Sequence, residues 1–151
     1  MRSIAVLGAG DLAATVVRRI AELGLARRVV LVDVDETRAR GKALDIAQSG
    51  PVEGFDVQIE AASNLTAAGA FDALVVADPP ELAPTLPPAR ARALAESLAT
   101  VMGKRPLIVA APAASAVIEA AVRKGLSREA VVGSAPVAYV AALCRDGLIP
   151  T

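Results

Sequence analysis

The sequence predicts a three-layer α/β fold: a doubly wound, parallel sheet of about six strands with helices on both faces. Three observations carry that prediction. Short apolar runs alternate with amphipathic stretches along the chain. Most of those runs are continuously apolar, as strands covered on both faces are. The first run ends in a glycine turn and passes directly into a helical pattern. A smaller, flavodoxin-like sheet of about five strands is the alternative arrangement.

The first strand is expected over Ser3–Gly8, through Ile4, Ala5, Val6 and Leu7. A helix follows over Asp11–Leu23, closed by Gly24. The second strand spans Arg28–Asp33. The second helix, Glu36–Ser49, places Ala39, Ala43, Leu44, Ile46 and Ala47 at helical spacing and should stop at Gly50-Pro51. Asp56–Ala61 alternates through Val57 and Ile59, which marks a sheet edge. Ala73–Ala77 is the fourth strand. The third helix, Pro88–Met102, has proline in its first turn and Gly103 just past its end. Leu107–Ala111 is the fifth strand, Ala113–Lys124 a helix ending at Gly125, Ala130–Gly133 the sixth strand, and Val137–Arg145 a last helix near Gly147. Right-handed crossovers connect such a sheet. Between the fourth strand and third helix, Asp78–Pro88 holds five prolines in eleven residues. That composition favours an extended polyproline path on the carboxyl edge, where these folds bind ligands. A rigid cover, a partner contact and a stiff connector are all consistent with it.

A chain of 151 residues fits one domain, residues 1–151. It can bury about 70% of its unfolded surface without staples. Apolar residues make up 54% and aromatics 2%, so the core must be built from small side chains. Sixteen basic and sixteen acidic residues cancel. With no basic stripe and few aromatics, nucleic-acid binding is not expected. The single cysteine, Cys144, fits a reducing, cytoplasmic setting. No charged and apolar leader precedes the first strand, so no signal peptide is expected, and no apolar run approaches the roughly 18 residues of a membrane span. The chain has no histidine. Ser115 and Ser134 therefore cannot join a Ser–His triad. Asp33 with Asp35, and Asp72 with Asp78, lack the other ligands of a metal site and read as strand-end and loop charges.

The turn after the first strand carries the chemistry. Gly8 permits a tight turn, Gly10 lets backbone approach a pyrophosphate, and Ala13 stands at the third position of the fingerprint, where helix packs on strand. The N-terminus of the following helix offers free N–H groups to phosphates. Asp33 lies 20 residues beyond Ala13, at the end of the second strand. A carboxylate there accepts hydrogen bonds from ribose hydroxyls and repels a 2′-phosphate, which favours NAD over NADP. This layout is that of a Rossmann dinucleotide-binding unit. The expected cofactor-binding residues are Gly8, Gly10, Asp11, Leu12, Ala13, Asp33, Val34 and Ala77. Asp11 follows Gly10 directly. Its carboxylate is expected to cap the helix, compete with a diphosphate for the amides and weaken cofactor binding.

The stretch GAGDLAATVVRRIAELGLARRVVLVDVDETRARGKALDIAQSGP, Gly8 to Pro51, resembles the amino-terminal half of the malate/lactate dehydrogenase family. VDVDETRARGKALDIAQ is its most specific part, and the likeness weakens after residue 77. The resemblance implies an NAD-binding Rossmann domain without the family's substrate domain, which carries the catalytic histidine. It also shows departures. The family's substrate loop reads roughly G-x-P-R-K-P-G-x-x-R. Here Asp78 stands where the family has glycine near the nicotinamide ribose, and Glu81 and Pro87 stand at the two arginine positions. Glu81 would repel a substrate carboxylate that arginine would grip. The family's T-N-P corresponds to Ala110-Ala111-Pro112, with Ala111 in place of the Asn. Its L-D-x-x-R corresponds to Ala138–Ala142, with Tyr139 and Ala142 in place of Asp and Arg. No catalytic and no metal-binding residue is assigned. The expectation is a stand-alone protein that binds NAD(H) or an adenine nucleotide without dehydrogenase activity, acting as a regulatory or structural subunit. The alternative is an NAD-dependent 2-hydroxy acid oxidoreductase completed by a partner chain or a missing second half. In the family, the helix resembling Glu36–Ser49 helps build a subunit interface. The retained pattern Gly41 to Asp45 therefore implies a homodimer or a subunit of a complex.

Overall fold

A computed structural model describes residues 1–82, 88–111 and 114–134. The elements run β1 (Ser3–Leu7), α1 (Asp11–Glu22), β2 (Arg28–Val32), α2 (Glu36–Glu53), β3 (Gln58–Ala62), β4 (Ala73–Val76), α3 (Pro88–Met102), β5 (Leu107–Val109), α4 (Ala114–Arg123) and β6 (Val131–Gly133). The six strands form one sheet in the order β3-β2-β1-β4-β5-β6, and every pairing is parallel. β3 is an edge strand, as its alternation predicts. The doubly wound arrangement stands, and the five-stranded alternative falls.

The alternation of side chains along each strand builds two cores. On one face, Ile4, Val6, Val29 and Leu31 pack with Ala13, Val17 and Ile20 of α1 and Ala39 and Ile46 of α2. On the other, Val30, Leu74, Val76, Leu107 and Val109 pack with Ala95, Leu98 and Met102 of α3 and Val117 and Ala121 of α4. Each fully buried Val or Leu contributes on the order of 1.5–3 kcal/mol. Alanines at the helix contacts, such as Ala13, Ala39 and Ala95, are fully buried and let helix backbones lie close to the sheet.

Two elements differ from expectation. α2 does not stop at Gly50-Pro51 but runs to Glu53 and ends on Gly54, which takes a left-handed φ of 81°. Pro51 sits in the last turn, where its missing N–H removes one helical bond. Gly50 still accepts from the Gly54 and Phe55 N–H groups, so the helix end is closed beyond the proline. After β4, Pro80–Leu82 forms a 3₁₀ turn rather than an extended path, with the Leu82 N–H donating to the Pro79 carbonyl. Residues 83–87 and the expected helix Val137–Arg145 lie outside the described residues.

The chain winds outward from β1 to β3, returns to β4 beside β1, and winds outward the other way. The carboxyl ends of β1 and β4 therefore flank the switch point, where this architecture opens a crevice.

Candidate functional site

Gly8 closes β1 at that crevice. Its N–H donates to the Val32 carbonyl at 2.8 Å, and its φ is +108°. A Cβ on Gly8 would lie 2.7 Å from the Asp78 carbonyl carbon and 2.8 Å from the Pro79 nitrogen. The loop leaving β4 thus runs directly over the turn, and only glycine fits beneath it. Ala77 leads into that loop. It is fully buried, and its N–H donates to the Leu7 carbonyl at 3.0 Å.

Gly10 is the N-cap of α1 and brings no side chain to the first-turn amides. Asp78 supplies the missing acceptor from across the switch point. Its carboxylate accepts from the N–H groups of Gly10 at 3.1 Å, Leu12 at 2.9 Å and Ala13 at 3.4 Å. A carboxylate at a helix N-terminus gains both these hydrogen bonds and a favourable dipole. A Cβ on Gly10 would meet the same carboxylate, its Cγ lying 2.7 Å away.

Asp11 does not do what the sequence led us to expect. It is the first residue of α1 rather than its N-cap. From there its side chain does not turn back onto the amides; it is fully exposed and pairs with Lys42 Nζ at 3.0 Å. The carboxylate on the cradle belongs to Asp78.

Asp33 follows β2, with its side chain wholly out of solvent. One oxygen accepts the Asp35 N–H at 2.9 Å, and Arg38 Nη2 lies 3.0 Å from both oxygens. Asp35 in turn caps α2 by accepting the Arg38 N–H at 3.0 Å. The acceptor expected to meet a ribose is therefore covered by the guanidinium of Arg38, whose side chain is 45% exposed. Beside it lies a cavity of about 280 Å³. Leu7, Val32, Leu65, Pro79, Leu94 and Leu98 form its apolar walls, and Asp33, Ser63, Asn64 and Glu81 add polar groups. Val34 lines the mouth and is 71% exposed. The volume lies just under the roughly 300 Å³ at which ligand clefts usually begin.

The structure thus brings Gly8, Gly10, Leu12, Ala13 and Ala77 together around Asp78, sets Asp33 and Val34 at the neighbouring cavity, and turns Asp11 away. Sequence reasoning missed Asp78 as a cap and Arg38 as the partner of Asp33. Arg38 had a local signal, standing three residues after an N-cap aspartate. Asp78 had none, because its donors are more than 60 residues away. Further along the carboxyl edge, Ala111 is fully buried and offers no polar atom beyond its backbone. The residues expected at the family's Asp and Arg, Tyr139 and Ala142, lie outside the described residues, as does Pro87. Among the described residues no group of three or more His, Cys, Asp and Glu could hold a metal, and no helix is long and apolar enough to cross a membrane.

Comparison with known proteins matches residues 2–83, more than half of the chain, to the family described as lactate/malate dehydrogenase, NAD binding domain. Malate dehydrogenase of Chlorobium luteolum is 42% identical over 73 residues, covering 48% of this chain and 24% of that protein. Malate dehydrogenase of Chloroherpeton thalassium is 54% identical over 56 residues, covering 37% and 18% respectively. Among solved structures, malate dehydrogenase from Salinibacter ruber superposes with a TM-score of 0.74 at 24% identity, over 97% of this chain and 50% of that one. Lactate dehydrogenase from Cryptosporidium parvum, complexed with lactic acid and nicotinamide adenine dinucleotide, gives 0.72 at 22% identity over 89% and 45%. These likenesses below 25% identity show the same fold, and the chain spans about half the length of the solved relatives or less. NAD is the cofactor the family indicates. The cavity beside Asp33 and the backbone donors at the first turn are what these residues offer such a nucleotide, and the Gly10, Leu12 and Ala13 N–H groups are held by Asp78. By its matched region and its fold, the chain belongs to the lactate/malate dehydrogenase family, through that family's NAD-binding domain.

Proposed function

We propose that this chain is an NAD(H)-binding domain that does not itself oxidise hydroxy acids and serves as a regulatory or structural subunit. The observation that carries the reading is Ala111. At the carboxyl end of β5, where the family resemblance expects a side-chain amide holding substrate and cofactor, a methyl group is packed fully out of solvent. Glu81, at the position of a substrate-gripping arginine, adds negative charge to the same edge of the sheet. A hydroxy-acid carboxylate would meet repulsion there instead of a guanidinium fork. The residues that would hold NAD are Gly8, Gly10, Leu12, Ala13 and Ala77 around the diphosphate and Asp33 and Val34 along the adenosine side; bound NAD would supply a hydride acceptor. A cytoplasmic setting agrees with the single cysteine. Dimerisation through α2 agrees with Leu44, which is 59% exposed on that helix.

The relatives' names favour a second reading, a malate- or lactate-type dehydrogenase completed by a further chain or domain. One pair of measurements separates the two. With NADH and oxaloacetate or pyruvate, the purified chain should leave NADH unoxidised, while NADH at millimolar concentration should raise its melting temperature. Turnover by the chain alone would overturn the first reading. Light scattering tests the dimer.

A further inference from the structure

We infer that Asp78 decides which part of a dinucleotide this chain holds: the site takes an adenine nucleoside readily and a dinucleotide only when the Asp78 carboxylate leaves the first-turn amides. The inference rests on the nucleotide-cradle reading above and adds a selectivity residue to it. Its basis is competition for the same donors. Each backbone N–H has one hydrogen to give, and those of Gly10, Leu12 and Ala13 are already given to Asp78. The space that two glycines leave free over the turn is filled as well, since a Cβ added at either one meets Asp78. A diphosphate entering the cradle would bring like charge against a half-buried carboxylate. The carboxylate therefore does internally what a phosphate does at such a helix end. The cavity beside Asp33 is a separate matter. Asp78 is not among its lining residues, and its largely apolar walls remain open to the faces of a flat aromatic base. At that end Arg38 pairs with Asp33, and Glu81, which also lines the cavity, repels a phosphate but not an uncharged nucleoside.

The test is an NMR titration of the protein and two variants, Asp78→Gly and Asp78→Asn, with NAD and with adenosine. The Leu12 and Ala13 amides report the cradle, and the Leu65 and Val34 amides report the cavity. Asp78→Asn keeps an acceptor on the helix and guards against loss of folding, which a melting curve checks for both variants. NAD affinity should rise about tenfold or more in Asp78→Gly and by less in Asp78→Asn, while adenosine affinity stays within about twofold in all three proteins. Equal NAD affinity in all three, with the Leu12 and Ala13 amides shifting alike, would overturn the inference and leave the cradle standing. No shift at either group of amides, with either ligand and in any protein, would remove the cradle and the inference together.

Discussion

β4 carries an aspartate near each of its ends, and both grip backbone amides of the first βα unit. Before β4, Asp72 accepts the N–H groups of Arg2 at 2.7 Å and Ser3 at 3.1 Å, and its own N–H donates to the Ser3 carbonyl at 2.8 Å. After β4, Asp78 accepts those of Gly10, Leu12 and Ala13. The bonds are the same in kind, and their consequences differ because the two sheet edges differ. At the amino edge the donors enter a strand, the neighbours carry ordinary side chains, and the carboxylate is open to water. At the carboxyl edge the donors are a helix's unpaired first turn, two glycines are required, and the same amides are those a phosphate would use. A clamp at the amino edge only stabilises; a clamp at the carboxyl edge also excludes.

The sharpest way to break this contrast is at Gly8. Ala at φ +108° is strained, and its Cβ would strike main-chain atoms of Asp78 and Pro79 that cannot swing aside. Gly8→Ala should lower unfolding free energy by about 3 kcal/mol, as strain and overpacking add. Urea titration measures it. A loss under about 1 kcal/mol would mean that the loop does not cross the turn so closely. Gly10 separates side chain from main chain. Its φ of −84° suits any residue, and a Cβ there meets only the Asp78 carboxylate. Gly10→Ala should cost about 2 kcal/mol in the parent and much less in an Asp78→Gly background. Gly8→Ala should gain little from that background. A double-mutant cycle with zero coupling between Gly10 and Asp78 would remove the carboxylate from the cradle.

How much of this was legible in the sequence follows the same division. Strands and helices were legible because continuous apolar runs and helical spacing are local signals, and β1 to β6 fall within a few residues of expectation. The glycine turn was legible for the same reason. What the sequence hid were contacts between distant segments. It placed a carboxylate on the α1 amides and named Asp11, the adjacent one. The structure puts Asp78 there, because β4 returns beside β1 and delivers its following residue onto the helix end. α2 outran its proline because a left-handed glycine three residues later closed the helix end instead.

Asp33 offers a smaller test at the carboxyl edge, since its partner is a side chain as well as an amide. Arg38→Ala leaves a buried carboxylate with the Asp35 N–H alone. Stability should fall by about 1–2 kcal/mol, less than for a fully buried pair because the Arg38 side chain is half-exposed and water can take its place. Arg38→Lys should recover part of it, since one ammonium can still approach the oxygens. Thermal unfolding of the three proteins measures both. An unchanged melting temperature in Arg38→Ala would show that the pair merely covers Asp33.

The smallest effect belongs to the amino edge and appears only in acid. Hydrogen bonds from the Ser3 N–H, and next from the Arg2 N–H, hold the Asp72 carboxyl below its ordinary value. These bonds favour the charged form, so folding lowers this group's pKa. A group depressed in the folded state contributes stability above its unfolded value, near about 4, and loses it as pH falls through the lower folded value. The melting-temperature difference between the parent and Asp72→Asn should therefore be constant from neutral pH down to about 4 and shrink below that. NAD and adenosine affinities should be the same in both proteins, because Asp72 lies at the edge opposite the cavity. A variant at Asp72 that alters ligand binding would mean that the two clamps communicate along β4, and the separation of a stabilising edge from an excluding one would no longer hold.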